Sequence, residues 1–339
     1  MSGIFHNREL SRRGFMQSSA GTALAATTMS SSLWAEDKDT TKREPESNVE
    51  RLFNSFNVGQ KKNVCFDWNH QDPQRGLLRT FIANNWNITR PEVKSDFYTP
   101  EQQAIIREIF EGIIQPDWHA RFDKQLEDDS GGFGHDQSIA IFGDPRSDQF
   151  EFVLTGRHMT LRCDGNSAPH VAFGGPIFYG HAPSGLDEEA NHPGNVFWPQ
   201  AMAANRVASM LSGRQQQQAL LPDSPEEDAV GFGQSGTDRP GLPIEDLSED
   251  QKQEMQNVLA TLIEPYRQVD QDEVRACLKA QGGLDACHLA FYRDSDIGKD
   301  EVWDNWRLEG PAFVWYFRGS PHVHVWVNIA DDPRVTLNA

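Results

Sequence analysis

The residues best suited to chemistry are two histidines separated by a single valine, His322 and His324. Residues i and i+2 of a β-strand leave the same side of the strand, so both imidazoles would share one face. The alternate positions are apolar and predict the side that faces the core: Val323, Val325, Val327 and Ile329. Two imidazoles on one rigid strand form a two-point platform for a metal ion, whereas a polar sheet face without metal is the alternative.

A third histidine, His158, lies in a segment with β-strand alternation, where Thr160 and Arg162 would share its face. If its hairpin faces that of His322 and His324, the three imidazoles would suit Zn, Cu or Fe and leave a position for water or substrate. We then expect the His158 imidazole within about 5 Å of one of the other two before a metal binds. The alternative is a hydrogen-bonded structural histidine.

Other residues could complete such a site. His170 is a fourth candidate ligand, because it lies in a loop rich in Gly and Pro, and loops on a scaffold often carry function. Glu309 and Arg307 are the catalytic candidates, since a carboxylate beside a metal can act as a ligand or general base. A buried Arg–Glu ion pair is the alternative for these two. Trp326 and Trp306 are the candidate walls of a ligand pocket.

These residues support hypotheses from three classes of protein. The first is an exported protein whose metal serves hydrolysis or oxidation of a small-molecule substrate, with Glu309 or another carboxylate orienting one imidazole. The second is a non-catalytic periplasmic protein that binds a sugar or another flat ligand. Its aromatic face would consist of Trp306, Trp315, Tyr316 and Trp326. The third is a structural component of the cell envelope.

Several common catalytic motifs are absent from the sequence, including the Gly-x-Ser-x-Gly elbow, His-Glu-x-x-His, the Walker A loop and Cys-x-x-Cys. The four cysteines are too few for a disulfide-dense scaffold. Cys277 and Cys287 flank a Gly-Gly turn, so they either form a disulfide after export or stay buried thiols.

The N-terminus has the features of an export signal. Arg12 and Arg13 precede Phe15 and a weakly apolar stretch over residues 20–33, which predicts a twin-arginine signal over residues 1–35. This stretch is too short and polar for a permanent membrane span, and no other run approaches the ~20 apolar residues required. We therefore expect the twin-arginine export machinery as a partner and the periplasm or cell envelope as the destination.

Charge excludes some partners. The 339 residues contain 50 Asp and Glu against 31 Lys and Arg, a net charge of −19. The summed field repels phosphate groups, so binding to nucleic acid or to an anionic membrane surface is not expected.

The remaining pattern predicts one α+β domain over residues 51–339, after a charged linker at 36–50. Capping boxes at Thr99, Ser212 and Ser248 predict helix starts. Alternating segments predict hairpins over 150–163 and 312–329, and therefore a mainly antiparallel sheet with packed helices. A Leu-x-Gly segment ends at Gly156 and another at Gly310, and each is followed nine residues later by a glycine with an alternating segment between, which suggests two related meanders. Residues 222–246 predict a long acidic loop.

Four sequence blocks carry a family resemblance: residues 98–103 (YTPEQQ), 156–161 (GRHMTL), 306–311 (WRLEGP) and 322–326 (HVHVW). They resemble an uncharacterised bacterial family, domain of unknown function 3500, over most of the chain after residue 50. The positions that match its motifs include His158, His322, His324 and Trp326. The positions that depart from its motifs are Arg157, where the family usually has histidine, and Asp331 and Asp332, which come later than its aspartate. The resemblance implies the extent of the domain and supplies no activity.

The export signal makes a direct prediction. Replacement of Arg12 and Arg13 by lysine removes the arginine pair while keeping its charge, so the chain should remain in the cytoplasm. Fractionation with an antibody against the mature chain measures this, with Arg8→Lys as the control. Processed protein outside the cytoplasm at the unchanged level would contradict the signal.

Overall fold

The computed structural model describes residues 44–183, 189, 192, 194–232, 239–298, 300 and 302–335. This part of the chain packs α-helices on a large, mainly antiparallel sheet, which confirms the α+β class. No helix among these residues is both long and apolar enough to cross a membrane. The signal predicted at 1–35 and the first part of the predicted linker, 36–43, lie outside the described residues.

The described residues form eight α-helices and thirteen strands. The helices are α1 Pro45–Ser55, α2 Val58–Val64, α3 Pro100–Ile113, α4 His119–Ser130, α5 Trp198–Met210, α6 Gly213–Ala219, α7 Glu249–Ile263 and α8 Gln268–Ala280. The strands are β1 Cys65–Phe66, β2 Gln71–Asp72, β3 Gly76–Leu77, β4 Gln137–Asp144, β5 Gln149–Gly156, β6 Met159–Cys163, β7 Ile177–His181, β8 Leu220–Leu221, β9 Leu242–Pro243, β10 His288–Tyr292, β11 Asn305–Gly310, β12 Phe313–Arg318 and β13 Val323–Ile329.

Helix α1 corrects part of the predicted linker, because it begins at Pro45 and includes residues 45–50. Val49, Leu52 and Phe53 have helical spacing and are buried in the main core. The charged side chains between them suggested a linker, but they lie on the partly exposed side of an amphipathic helix.

Both predicted hairpins belong to one sheet. Its strand order is β1-β4-β5-β6-β7-β13-β12-β11-β10-β8, with β9 beside β10. The ladder from β4 to β10 is antiparallel throughout, whereas β1 pairs with β4 and β8 with β10 in parallel. Helix α3 buries its isoleucine stripe in the core shared with this sheet. The predicted placement of the hairpins and of this helix is therefore confirmed.

The chain from α1 to β13 consists of two structurally repeated halves. Each half runs through a long helix, a short helix, a two-residue strand, two further helices and a four-stranded antiparallel meander. The meanders β4-β5-β6-β7 and β10-β11-β12-β13 meet where β7 pairs with β13. The Leu-x-Gly segments noted in the sequence both end the second strand of a meander, at Gly156 and Gly310.

The two halves also repeat a specific hydrogen-bond pair. Asn57, Thr99, Ser212 and Ser248 cap four helices, and each bonds the backbone N–H of a glutamine three residues later. In the first half the side chains of Gln60 and Gln102 bond each other, at 2.8 Å from Gln60 Nε2 to Gln102 Oε1. In the second half Gln215 Nε2 donates to Gln251 Oε1 at 3.0 Å. The capping glutamines thus tie two helix starts together in each half.

Both faces of the sheet are covered around β13. Val325 and its alternate neighbours pack in the main core, as predicted. Trp326 lies on the opposite face, in a second cluster with Ile82 and Val230. Val230 belongs to the segment predicted as an acidic surface loop, and this corrects that prediction in part. The apolar residues of the segment cover the sheet, and its end forms β9 against β10.

The repeated glutamine pair predicts a stability effect. Gln102→Ala removes the bonds to Thr99 N, to Ser55 O and to Gln60, leaving buried polar groups without partners. We expect the free energy of unfolding to fall by about 1–3 kcal/mol. Denaturant titration measures it, with the exposed helical glutamine variant Gln217→Ala as the control. An equal effect in both variants would show that the pair contributes no more than a surface side chain.

Candidate metal centre

The histidine from the first half lies in the turn between β5 and β6, which consists of Arg157 and His158. This corrects the expectation that His158 lies within a strand. Its φ of +53° is unusual for a residue with a side chain. The turn lies against β7, where the backbone N–H of Gly180 donates to His158 O.

Gly180 pairs with His324 in the β7–β13 ladder, and its lack of a side chain permits the two strands to lie close together there. A Cβ atom at position 180 would come within 2.3 Å of Val323 O and 3.4 Å of the His158 side chain. A residue with a side chain would therefore displace β13 from β7, whereas its contact with His158 would be an ordinary one. The close pairing at this glycine places the first residues of β13 next to the turn that carries His158.

The three predicted imidazoles meet at this junction. His324 Nε2 lies 2.9 Å from His322 Nε2 and 3.1 Å from His158 Nε2. The expected approach of His158 to the pair is thus confirmed. Among the described residues, this is the one group of three or more His, Cys, Asp or Glu whose ligand atoms all lie within 4.8 Å of one another. A tetrahedral ion with bonds of about 2.0–2.1 Å needs nitrogens about 3.3 Å apart, so small rotations suffice.

A buried carboxylate orients His158. Asp129, in the last turn of α4, has a fully buried side chain, and its Oδ2 lies 2.9 Å from His158 Nδ1. Gln125 Nε2 and the backbone N–H of Ala182 also donate to this carboxylate. When Nδ1 donates its proton to Asp129, the lone pair of Nε2 faces the other two imidazoles. Histidine ligands of metal ions commonly have such a partner.

His324 also meets a carboxylate and a guanidinium on the side away from the cluster. Its Nδ1 lies 3.0 Å from Glu227 Oε2 and 2.8 Å from Arg318 Nη2. Arg318 and Glu227 form an ion pair with each other. When Nδ1 carries a proton it donates to Glu227, and the Nε2 lone pair again faces the centre of the cluster. In this tautomer Arg318 bonds Glu227 and does not donate to the ring.

The environment keeps the pair from β13 neutral. Burial, followed by the nearby His324 and His158, lowers the pKa of His322 to about 4. Burial and the charge of Arg318 lower the pKa of His324 to about 2. Burial alone would raise the pKa of Asp129, but its hydrogen bond with His158 is among the effects that bring it below the usual value. Neutral imidazoles and an ionised carboxylate are the protonation states that a metal ion requires.

The other predicted site residues lie elsewhere. His170 Nδ1 binds Asp331 Oδ2 at 2.6 Å, next to the far end of β13. About 20 Å of strand separates that end from His324, so His170 is not part of the cluster, contrary to expectation. Arg307 and Glu309 lie on β11, two strands from β13, where Arg307 Nε donates to Glu309 Oε2 at 2.8 Å. Their contacts are those of the structural alternative, a largely buried ion pair.

The proposed aromatic face is also corrected. Trp306 and Trp315 are buried in the main core, whereas Tyr316 and Trp326 lie in the cluster on the opposite face of the sheet. Adjacent residues of a strand point to opposite faces, so Trp315 and Tyr316 cannot belong to one surface. Trp306 and Trp326 therefore do not line one pocket.

The sequence did not identify Asp129, Glu227 or Arg318. Asp129 carries one usable signal, because it and Asp128 lie at the C-terminal end of α4, where the helix dipole disfavours carboxylates. Carboxylates at such a position indicate a specific partner. Glu227 and Arg318 carry no comparable signal, since loop and strand charges are common.

The corresponding turn of the second half, between β11 and β12, has neither the histidine nor the carboxylate. Gln281, which follows α8, accepts from the backbone N–H of Ala312 in the β11–β12 turn and donates to Ala330 O after β13. In the first half Asp129 bonds residues at the corresponding positions, but through the His158 side chain and the backbone N–H of Ala182. The repeat thus places an alanine where the first half has its histidine.

Comparison with known families covers nearly the whole described chain. Residues 38–327 match the family described as "Protein of unknown function (DUF3500)". The chain belongs to the DUF3500 family. The match extends across both repeated halves, and the predicted resemblance is thereby confirmed. No curated protein and no solved structure gives a significant match to this DUF3500 chain.

The cysteines of the DUF3500 chain lie outside the candidate site. Cys65, Cys163, Cys277 and Cys287 are all free thiols in the structure, so Cys277 and Cys287 form no disulfide. Burial raises the pKa of Cys277 and of Cys287 to about 12. They are inert thiols at neutral pH.

The lowered histidine pKa values predict a pH effect on the metal-free protein. Below pH about 6.5 the unfolded chain binds a proton at His324 that the folded chain does not, so stability should decrease as the pH falls. The expected loss from this residue between pH 6.5 and 5 is about 1–2 kcal/mol. Unfolding with chelator present measures it. His324→Gln should flatten this dependence, and the exposed control His135→Gln should not; equal slopes in both variants would contradict the lowered pKa.

Proposed function

We propose that this DUF3500 chain is an exported metalloprotein that acts on a small-molecule substrate. One divalent transition-metal ion would bind Nε2 of His158, His322 and His324. The main support for this proposal is the convergence of these three nitrogens. His324 Nε2 lies 2.9 Å from His322 Nε2 and 3.1 Å from His158 Nε2. The carboxylate of Asp129 also supports it, because a buried carboxylate that orients a histidine through Nδ1 is common behind metal ligands.

The ligand chemistry limits the metal. Three neutral imidazoles suit Zn, Cu or Fe, whereas Mg and Ca prefer oxygen ligands. His322 is only half-buried, so the fourth position would open on its side of the cluster. A zinc ion there would lower the pKa of bound water to about 7 and support hydrolysis, while Cu or Fe would support oxidation. Hydrolysis at a zinc ion requires no redox partner.

Export is part of this proposal. The arginine pair and the apolar stretch that follows it support transport by the twin-arginine machinery, which carries folded proteins. A buried metal ligand set drawn from both halves of the fold is complete only after folding. Loading in the cytoplasm before export would therefore match this route.

Metal titration of the folded chain tests the centre. We expect one Zn²⁺, Cu²⁺ or Fe²⁺ per wild-type chain and weaker binding in His158→Ala, His322→Ala and His324→Ala. Asp129→Asn should weaken binding by about 10–100-fold, since it removes the orienting carboxylate but no ligand. Removal of a histidine ligand should weaken metal binding by a larger factor than this.

Two control variants distinguish loss of the metal site from a general loss of a carboxylate or a histidine. Asp123→Asn changes an exposed carboxylate of the same helix, and His135→Ala removes an exposed histidine. Both should bind as the wild type does. Equal stoichiometry and affinity in all variants, determined by elemental analysis and calorimetry, would refute the metal centre.

A further inference from the structure

Two arginines next to the histidines, Arg157 beside His158 and Arg318 beside His324, point to the class of substrate. Arg157 precedes His158 in the two-residue turn, and its backbone pairs with Asn85. Its Nε is buried and has no hydrogen-bond partner, and no ion pair involves its side chain within the described residues. An arginine N–H that is buried without a hydrogen-bond acceptor destabilises the folded protein. A ligand that accepts from it would remove this cost.

Arg318 provides a second positive group at the same place. Its Nη2 lies 2.8 Å from His324 Nδ1, and its Nε is also buried without a partner. Unlike Arg157, it has a carboxylate, Glu227. The segment at Asn84 completes this side, because its carbonyl accepts from His158 N and its Nδ2 lies 3.4 Å from Glu227 Oε2.

The local charges leave a positive centre once a metal binds. The carboxylates of Asp129 and Glu227 balance the guanidinium groups of Arg157 and Arg318, and the three imidazoles are neutral. Asp128, which precedes Asp129 in sequence, is bonded to Lys124 and His181 instead. A divalent ion would then be uncompensated, so an anion in the fourth position would be strongly favoured.

We propose that the substrate presents an oxyanion, a carboxylate or a phosphate group, to the open position of the metal, and that Arg157 binds this group. The proposal rests on the metal centre proposed above. Arginine suits the role because its planar fork can donate two hydrogen bonds to such a group. Arg157 is thus assigned a substrate-binding role that does not involve metal ligation.

Anion titration of the cobalt-loaded full-length protein tests this assignment. Inorganic phosphate and acetate, added separately at constant ionic strength, should change the visible spectrum of bound Co²⁺. Arg157→Gln should weaken binding of the tighter probe roughly tenfold while still binding one Co²⁺ per chain. Arg157→Lys keeps the charge and should recover part of the affinity. Arg146→Gln, which alters an exposed arginine in the β4–β5 turn, should match the wild type.

The outcomes separate the two proposals. Tighter binding of phosphate identifies a phosphate-bearing substrate, and tighter binding of acetate identifies a carboxylate. Unchanged anion affinity in both Arg157 variants, or no response to either probe in the cobalt protein, would overturn the anion site while leaving the metal centre intact. Failure of the wild type to bind Co²⁺ stoichiometrically would overturn both.

Discussion

The candidate site depends on the antiparallel pairing of β7 with β13. This ladder is the seam between the two repeated halves, and it sets His324 opposite Gly180. Because glycine occupies that position, β13 pairs closely with β7 beside the β5–β6 turn, where His158 meets the histidines of the other half. Without this seam, the two sets of imidazoles would belong to separate meanders with no reason to approach.

The two repeated halves place different residues beside the second turn of each meander. In the second half, Gln281 fills the space between the β11–β12 turn and the end of β13 with backbone hydrogen bonds alone. In the first half, a buried carboxylate occupies that place and is held by a histidine. A carboxylate at a helix C-terminus is unfavourable by itself, and the hydrogen bonds of Asp129 with His158, Gln125 and Ala182 offset this cost.

Burial on both faces of the sheet explains why the His324 imidazole is neutral. A single sheet with one wet face would expose His324, and its pKa would stay near the ordinary value. Here the segment that carries Glu227 and Val230 covers that face, so the imidazole is desolvated and stays neutral. The same cover brings Glu227 against the ring, whereas Arg318 faces it because β12 pairs Arg318 with His324. Desolvation and ligand orientation are thus consequences of one loop.

The sequence by itself determined the local elements and one side of the site. Capping boxes located helix starts, alternation located the hairpins, and strand geometry placed His322 and His324 on one face with valines opposite. These features depend on neighbours within a few residues. The same alternation separates Trp315 from Tyr316, so the single aromatic face was an error of local reasoning.

Only the tertiary structure decided which distant groups complete the cluster. Asp129 and His158 are 29 residues apart in sequence, and Glu227 and His324 are 97 apart. It also separated His170 and the Arg307–Glu309 pair from the histidines, because position along and across the sheet depends on strand order. Strand order results from the packing of the whole chain, and no local pattern of residues encodes it.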